Sequence, residues 1–286
     1  MRWLLIDAGN TALKWEVFAG ATVQQWPGSG RESPAPTRWQ GIVPVDSPDL
    51  AAEMKRACAA ASALTGTPVP TTVFGCGVTS EKRMRAIETA LRAANAPAVQ
   101  WLPSETRFEH DGILVQNSYL APERLGSDRW HALIGARSRF GRGPLAVINA
   151  GTATTVDGLA ADGRFLGGVI APGIDMMRAA LAQGTARLPL AGGDYVPHPN
   201  NTEDAVHTGV LDAQLGLIER RMRRLRESGM GAVQVLLSGG KAAQLFPLLQ
   251  SQSGFSKLSL EPDLVLRGLW HHARAMIAET LTRAPE

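Results

Sequence analysis

The sequence predicts an α/β protein built of two similar domains, and three observations carry that reading. An apolar run followed by a glycine-containing polar turn occurs twice, as Leu5-Ile6-Asp7-Ala8-Gly9-Asn10-Thr11 and as Val147-Ile148-Asn149-Ala150-Gly151-Thr152-Ala153. Such an internal repeat implies two related domains facing each other. Each copy is followed first by strand patterning and then by alternating strand and helix patterning. The chain has 286 residues, two domains' worth at roughly 150 residues each. The division falls near Gly141-Arg142-Gly143-Pro144, just before the second copy, giving domains 1–142 and 143–286.

Element by element, Trp3-Leu4-Leu5-Ile6 is an apolar strand stopped by turn residues, and Lys14 to Phe18 alternates polar and apolar as a half-buried strand does. Residues 3–18 therefore read as a hairpin whose turn carries Asp7, Gly9, Asn10 and Thr11. Residues 27–36 read as a loop rich in Pro, Gly and Ser. Helical periodicity covers 49–64, then 80–94 with Ser80 placed to cap it, and then 128–139. In the second half, strands are expected at 145–148, 155–159 and 165–170. A helix follows the Pro172-Gly173 break, and a long one runs from Asn201 to about Ser228. The strand 233–237 ends at Ser238-Gly239-Gly240, and a helix from Asp263 to about Thr282 closes the chain.

Composition narrows the function classes. Hydrophobic residues make up 44% and charged residues 19%, too apolar for a disordered chain. The net charge of +3 is too small and scattered to indicate a nucleic-acid binder. The arginine run 220–226 shares its helix with the apolar stripe Leu217, Ile218, Met222 and Leu225, so it reads as a solvated face. Two cysteines, Cys58 and Cys76, make no disulfide framework and no zinc spacing, and are expected as buried thiols. The opening apolar run meets Asp7 too soon for a secretory segment, and nothing reaches the roughly 18 apolar residues of a membrane span. A cytoplasmic protein without nucleic-acid or membrane partners is the expectation.

Three turns look suited to phosphate and nucleotide. A glycine turn lets backbone N–H groups approach an anion closely, and Asn10, Thr11, Thr152 and Thr154 add side-chain donors. Asp7 supplies a carboxylate of the kind Mg²⁺ takes. The third turn, Ser238-Gly239-Gly240-Lys241, leaves backbone without Cβ, able to lie against a flat ring. Singly, each is ordinary hairpin punctuation; together they are more specific. No GxxxxGK[ST] P-loop is present, and Gly75-Cys76-Gly77 lacks the third glycine of a dinucleotide fingerprint. A fourth element, Gly126-Ser127-Asp128-Arg129, opens a helix. Asp128 there is either a helix cap or a general base for a substrate hydroxyl, with Arg129 holding an anionic group.

Taken in order, Asp7-Ala8-Gly9-Asn10-Thr11, Gly126-Ser127-Asp128-Arg129, Asn149-Ala150-Gly151-Thr152-Ala153-Thr154-Thr155, Gly167-Gly168-Val169-Ile170-Ala171-Pro172-Gly173 and Leu237-Ser238-Gly239-Gly240 resemble the type III pantothenate kinases. These belong to the acetate/sugar kinase, Hsc70 and actin superfamily, and the resemblance runs from Ile6 to about Gly240. It implies two duplicated actin-like (ribonuclease H-like) domains, each a mixed sheet with flanking helices, with an ATP cleft between them. The implied reaction is ATP-dependent phosphorylation of pantothenate to 4′-phosphopantothenate, the first step of coenzyme A synthesis. By position, the ATP contacts are Asp7, Ala8, Gly9, Asn10, Thr11, Ala12, Leu13, Lys14, Thr152, Ser238, Gly239 and Gly240. Asp128 matches the proton acceptor. Tyr119, Gly126, Ser127, Asp128 and Arg129 match pantothenate contacts, and Thr185 one contributed by the partner subunit of a homodimer. Mg²⁺ accompanies ATP, near Asp7.

One departure stands out. The family carries aspartate at the position of Asn149, where it helps bind a monovalent cation. Asparagine keeps an oxygen but loses the charge, which leaves open weak K⁺ binding, substitution by NH₄⁺, or loss of the site. Two other readings share the fold: a non-catalytic accessory factor for transcription, and a different small-molecule kinase of the superfamily. Met176 and Met177 are expected in the core or a dimer interface, and Trp130 and His131 beneath the site.

Overall fold

Strand β1 (Arg2–Ala8) and strand β2 (Ala12–Ala19) form the expected hairpin, paired antiparallel with Asp7 opposite Lys14. The computed structural model describes residues 2–19, 39–63, 72–185, 192–252 and 254–283. The loop expected at 27–36 lies outside them. β2 continues antiparallel into β3 (Trp39–Pro44), and helix α1 (Leu50–Ala63) leads to β4 (Thr72–Gly77), which lies parallel to β1. Helix α2 (Glu81–Ala93) then leads to β5 (Val99–Trp101), parallel to β4. The sheet order is β3-β2-β1-β4-β5.

The continuous apolar run of β1 follows from burial on both faces of the sheet. Leu4 and Ile6 point to α1 and α2, where Met54, Ala57, Ile87 and Leu91 complete one core. Trp3 and Leu5 point the other way, into a second core with Phe18, Phe74, Leu269 and Trp270. Indole N–H groups anchor the helices to the sheet: buried Trp15 donates to Glu53 on α1 and half-buried Trp101 to Glu88 on α2, both at 2.8 Å. Ser80 occupies the cap position of α2, but its side chain makes no capping hydrogen bond.

A small hairpin follows, β6 (Arg107–His110) and β7 (Ile113–Gln116). Its two-residue turn, Asp111-Gly112, has both φ angles positive (50° and 76°), the geometry that Asp-Gly favours. Helix α3 (Ser127–Phe140) ends at Gly141 in a left-handed conformation, φ 62°.

The second half repeats this plan. β8 (Leu145–Ala150), β9 (Ala153–Leu159) and β10 (Phe165–Pro172) run antiparallel in sequence. Helices α4 (Ile174–Gly184) and α5 (Thr202–Leu225) intervene before β11 (Gln234–Ser238), parallel to β8. Helix α6 (Ala242–Gln250) connects to β12 (Leu258–Leu260), parallel to β11. The order β10-β9-β8-β11-β12 copies the first sheet strand for strand, so the duplication read from one heptapeptide extends to a whole topology. Asn201 caps α5 by accepting the Asp204 N–H at 2.8 Å. Beyond Leu225 the chain stays helical in a wider turn through Ser228, as its periodicity suggests, and then turns at Gly229, φ 78°.

The closing helix α7 (Leu264–Arg283) lies with the first half of the chain. The described residues up to Gly141, together with those from Leu264 onward, form one unit, and Arg142–Asp263 the other. This differs from a division at 142/143 with everything later in the second domain. The reason is packing: Leu266, Leu269, Trp270 and Ala273 complete the core around Trp3 and Phe74. α7 also crosses α3 backbone to backbone. A Cβ on Gly268 would fall 1.7 Å from the His131 carbonyl oxygen, and one on Gly135 would fall 2.1 Å from that of Leu264.

Candidate active site

Within the first unit, the predicted residues gather at the ends of β1 and β4 and the start of α3. The β1–β2 turn is closed by the Gly9 N–H donating to the Ala12 carbonyl at 3.1 Å. The carbonyls on either side are also held, with Ala8 accepting from Val78 N–H at 3.1 Å and Thr11 from Val45 N–H at 3.0 Å. Arg83 of α2 donates to the Asn10 carbonyl at 2.8 Å while its Nε donates to Asp46 at 2.9 Å. Asn10 and Thr11 stay exposed, Ala12 and Lys14 are half-buried, and Ala8 and Leu13 belong to the core.

Asp7 is buried, and burial pushes its carboxyl up to about 7; the nearby Asp128 charge pushes the same way, and Lys14 opposes both. Register explains its other neighbour: Asp7 pairs across the parallel ladder with Cys76, whose Sγ lies 4.0 Å from Oδ1. Burial and the two carboxylates hold the Cys76 thiol well above its usual range. Cys58 and Cys76 are both buried free thiols, as expected.

Ser127 ties α3 to β4. Its Oγ accepts the Gly77 N–H and donates to the Gly77 carbonyl, each at 3.1 Å. Asp128 sits in the first turn of α3 rather than at the cap, which is Gly126. Its Oδ1 accepts the Arg129 N–H at 2.7 Å, and a Cβ on Gly126 would come within 2.6 Å of the same oxygen. Glycine at 126 therefore keeps room for the carboxylate. Arg129 is almost wholly buried and donates to the Tyr119 hydroxyl at 2.9 Å. Trp130 and His131 are fully buried just behind.

The second unit brings together the remaining predicted residues except one. Gly151 N–H donates to the Ala153 carbonyl at 3.1 Å, so this turn repeats the first with one residue fewer. Thr152 is exposed on it. Gly173 packs against the turn: its N–H donates to the Thr152 carbonyl at 2.9 Å, and a Cβ there would lie 2.3 Å from the Gly151 oxygen. The third turn abuts the same place. Gly239 has φ +97°, and a Cβ would meet the Ala150 carbonyl at 2.4 Å and Asn149 Oδ1 at 2.5 Å. Lys241 N–H donates to the Ala150 carbonyl at 2.9 Å, and its Nζ pairs with Asp175 at 2.8 Å. Ser238 is buried and Gly240 faces open space. Thr185 stands apart, exposed at the end of α4, with its hydroxyl donating to the Leu181 carbonyl at 2.7 Å.

Each unit thus presents a tight hairpin turn closed by a glycine N–H, one beside Asp7 and Asp128 and one beside the positive-φ turn at Gly239. The family described as type III pantothenate kinase matches the chain over residues 3–224. The chain belongs to the type III pantothenate kinase family. A family member from Aromatoleum aromaticum is 42% identical over 266 residues, covering 93% of this chain and 95% of the relative. Another, from Dechloromonas aromatica, is 40% identical over 270 residues, covering 94% and 97%. Among solved structures, one described as a conserved Baf family transcriptional activator from Campylobacter jejuni superposes with TM-score 0.55 at 19% identity, covering 98% of this chain and 99% of that one. A 2-dehydro-3-deoxygalactonokinase-like protein from Sinorhizobium meliloti gives 0.56 at 12% identity, covering 96% of each. At those identities the structural likeness shows the fold alone.

Three contributors to the site carry no motif. Cys76 reaches Asp7 only through parallel strand pairing, Arg83 holds the first turn from α2, and Lys241 braces the third turn through Asp175. No spacing rule locates them, since each depends on elements distant in sequence.

Proposed function

We propose that the chain carries out its family's reaction, ATP plus pantothenate giving 4′-phosphopantothenate and ADP, with Asp128 as the general base. The observation that carries this reading is the Asp128 carboxylate oriented by the Arg129 N–H at the opening of α3, electrostatically coupled to Asp7 at the first glycine turn. In phosphoryl transfer the protein supplies mainly position and charge stabilisation. Asp128 takes the proton of the pantothenate hydroxyl as its oxygen attacks the γ-phosphorus, and the bond to the ADP oxygen breaks. Arg129, pinned by Tyr119, faces the pantothenate carboxylate, with Gly126 and Ser127 beside it. The backbone amides of the Asp7–Lys14 segment and of the turn at Thr152 take the phosphates, and Ser238, Gly239 and Gly240 take the adenosine.

A buried carboxyl beside a second carboxylate is a place that favours a cation, so Asp7 fits Mg²⁺ accompanying ATP. That ion supplies charge neutralisation of the phosphates when bound. Asn149 offers a K⁺ or NH₄⁺ one neutral amide oxygen, and we expect weak dependence on either. The reading places the reaction in the cytoplasm. Among the described residues, no helix is long and apolar enough to cross a membrane.

The second unit supports a homodimer. A groove of 1120 Å³ runs along α4 and α5, lined by Met176, Met177, Leu181, Val206 and Val210, and Ile170 stands 63% exposed on β10. A second copy covering this face also explains how Thr185, remote from the other predicted residues of its unit, reaches a pantothenate site. Among the rival readings, a non-catalytic factor has no need of the Asp7, Asp128 and Arg129 arrangement.

The test is ADP release, coupled to a dye-linked readout, with and without pantothenate, in K⁺, NH₄⁺ and Na⁺ buffers. Pantothenate-dependent release in all three supports the reading. Release independent of pantothenate, or none, rejects it.

A further inference from the structure

Behind the first turn of α3 lies a chain of three titratable groups that the reaction does not use. His131, one turn after Ser127 on α3, has no exposed surface, and its Nδ1 lies 2.6 Å from the Ser127 carbonyl oxygen. Its Nε2 lies 3.0 Å from Nδ1 of His272 on α7, which is 5% exposed. The His272 Nε2 lies 3.2 Å from an Oε1 of Glu105, in the loop between β5 and β6. Phe108 of β6 closes the side of His272, ring centroids 5.6 Å apart. The contact exists because Gly268, one helical turn before His272, lets α7 touch the His131 backbone.

Hydrogen-bond chemistry fixes the protons along this chain. A carbonyl oxygen only accepts, so His131 carries its proton on Nδ1 and its Nε2 must accept. His272 therefore donates from Nδ1. Its Nε2 faces a carboxylate, which also only accepts, so that nitrogen carries a proton as well. In this arrangement His272 donates from both ring nitrogens, to His131 on one side and to the Glu105 carboxylate on the other. Burial and the His272 charge hold His131 down at about 3, in agreement with its neutrality.

We propose that Glu105, at the surface, and the buried His272 and His131 form a relay that positions the Ser127 carbonyl, and with it the Asp128 carboxylate one residue on. The relay ends on the peptide of Ser127, whose hydroxyl is itself bonded on both sides to Gly77 of β4. Its rigidity thus acts where β4, α3 and Asp128 meet. The effect on turnover rests on the reading of Asp128 as the base; the proton assignment does not.

The test joins a spectrum to kinetics on the full-length protein. Long-range ¹H–¹⁵N correlation of labelled histidines, assigned with His131→Phe and His272→Phe, should show His131 neutral with its proton on Nδ1 and His272 doubly protonated at neutral pH. Glu105→Gln should convert His272 to the neutral form, because the amide can donate to Nε2, while turnover stays near that of the parent. His272→Phe and Glu105→Leu should lower kcat about tenfold or more, as misplacement of a reacting group does, with KM for ATP within about twofold. A His131 proton on Nε2, a neutral His272 in the parent, or unchanged kcat in both His272→Phe and Glu105→Leu overturns the relay. Asp128→Asn assayed alongside separates the two ideas: full activity there removes the base, while the spectrum still decides the relay.

Discussion

Asp7 should make this protein less stable as pH rises from 4 to 7, and Asp7→Asn should abolish that loss. Its carboxyl is shifted from 3.8 to about 7, chiefly by burial. The folded state therefore holds a proton that the unfolded state releases, so stability falls as pH climbs from the unfolded value to the folded one, then levels. At 1.36 kcal/mol per pH unit, a shift of roughly three units amounts to about 4 kcal/mol once both states are ionised. By the same arithmetic the share lost between pH 5 and pH 8 is about 2–3 kcal/mol. Asparagine keeps the shape and cannot ionise. Urea unfolding of parent and Asp7→Asn at pH 5 and pH 8 reads the difference directly: the variant gains on the parent by about 2–3 kcal/mol between the two values. Parallel pH curves would refute the argument that a desolvated anion is held there. The gain should come with loss of activity, since a strained charge kept at a working site is what stability is traded for.

Other perturbations have equally definite outcomes. Asp128→Asn should lower kcat by about 100-fold or more while isothermal titration still shows ATP binding. Arg83→Ala removes the brace on the Asn10 carbonyl, so KM for ATP should rise several-fold with the melting temperature little changed, because the Arg83–Asp46 pair is largely exposed. Gly268→Ala drives a methyl into the His131 carbonyl, and denaturant unfolding should show a loss of about 1–3 kcal/mol or more. Met176→Glu puts a charge on the apolar groove; sedimentation should show monomers with weakened pantothenate turnover, whereas an intact dimer removes that face from the interface.

Much of the fold was legible because the chain repeats itself. The runs at Leu5 and Val147 are long enough to mark strands, and the glycine turns after them mark hairpins. The strands between residues 39 and 116 were harder to see. β5 has only three residues, and β4 is interrupted by Gly75 and Gly77. The β6–β7 hairpin did carry a usable signal in Asp111-Gly112. The place of α7 was hidden, since amphipathic periodicity tells that a helix has an apolar face but not which sheet receives it. At the candidate site, the motif residues were readable as turns and a helix start. Their support was not: the Asp7–Cys76 contact spans 69 positions and the His131–His272 contact 141, and both depend on how strands and helices pack. The missing residue in the Gly151 turn likewise shows only once the ladder register is known.

The base assignment is tested most directly by pantothenate-dependent phosphate transfer followed by ³¹P NMR, comparing the parent with Asp128→Asn at saturating ATP. A phosphomonoester signal that grows with the parent and is slowed about 100-fold or more in the variant is the predicted result. Equal rates of ester formation in the two proteins would contradict it.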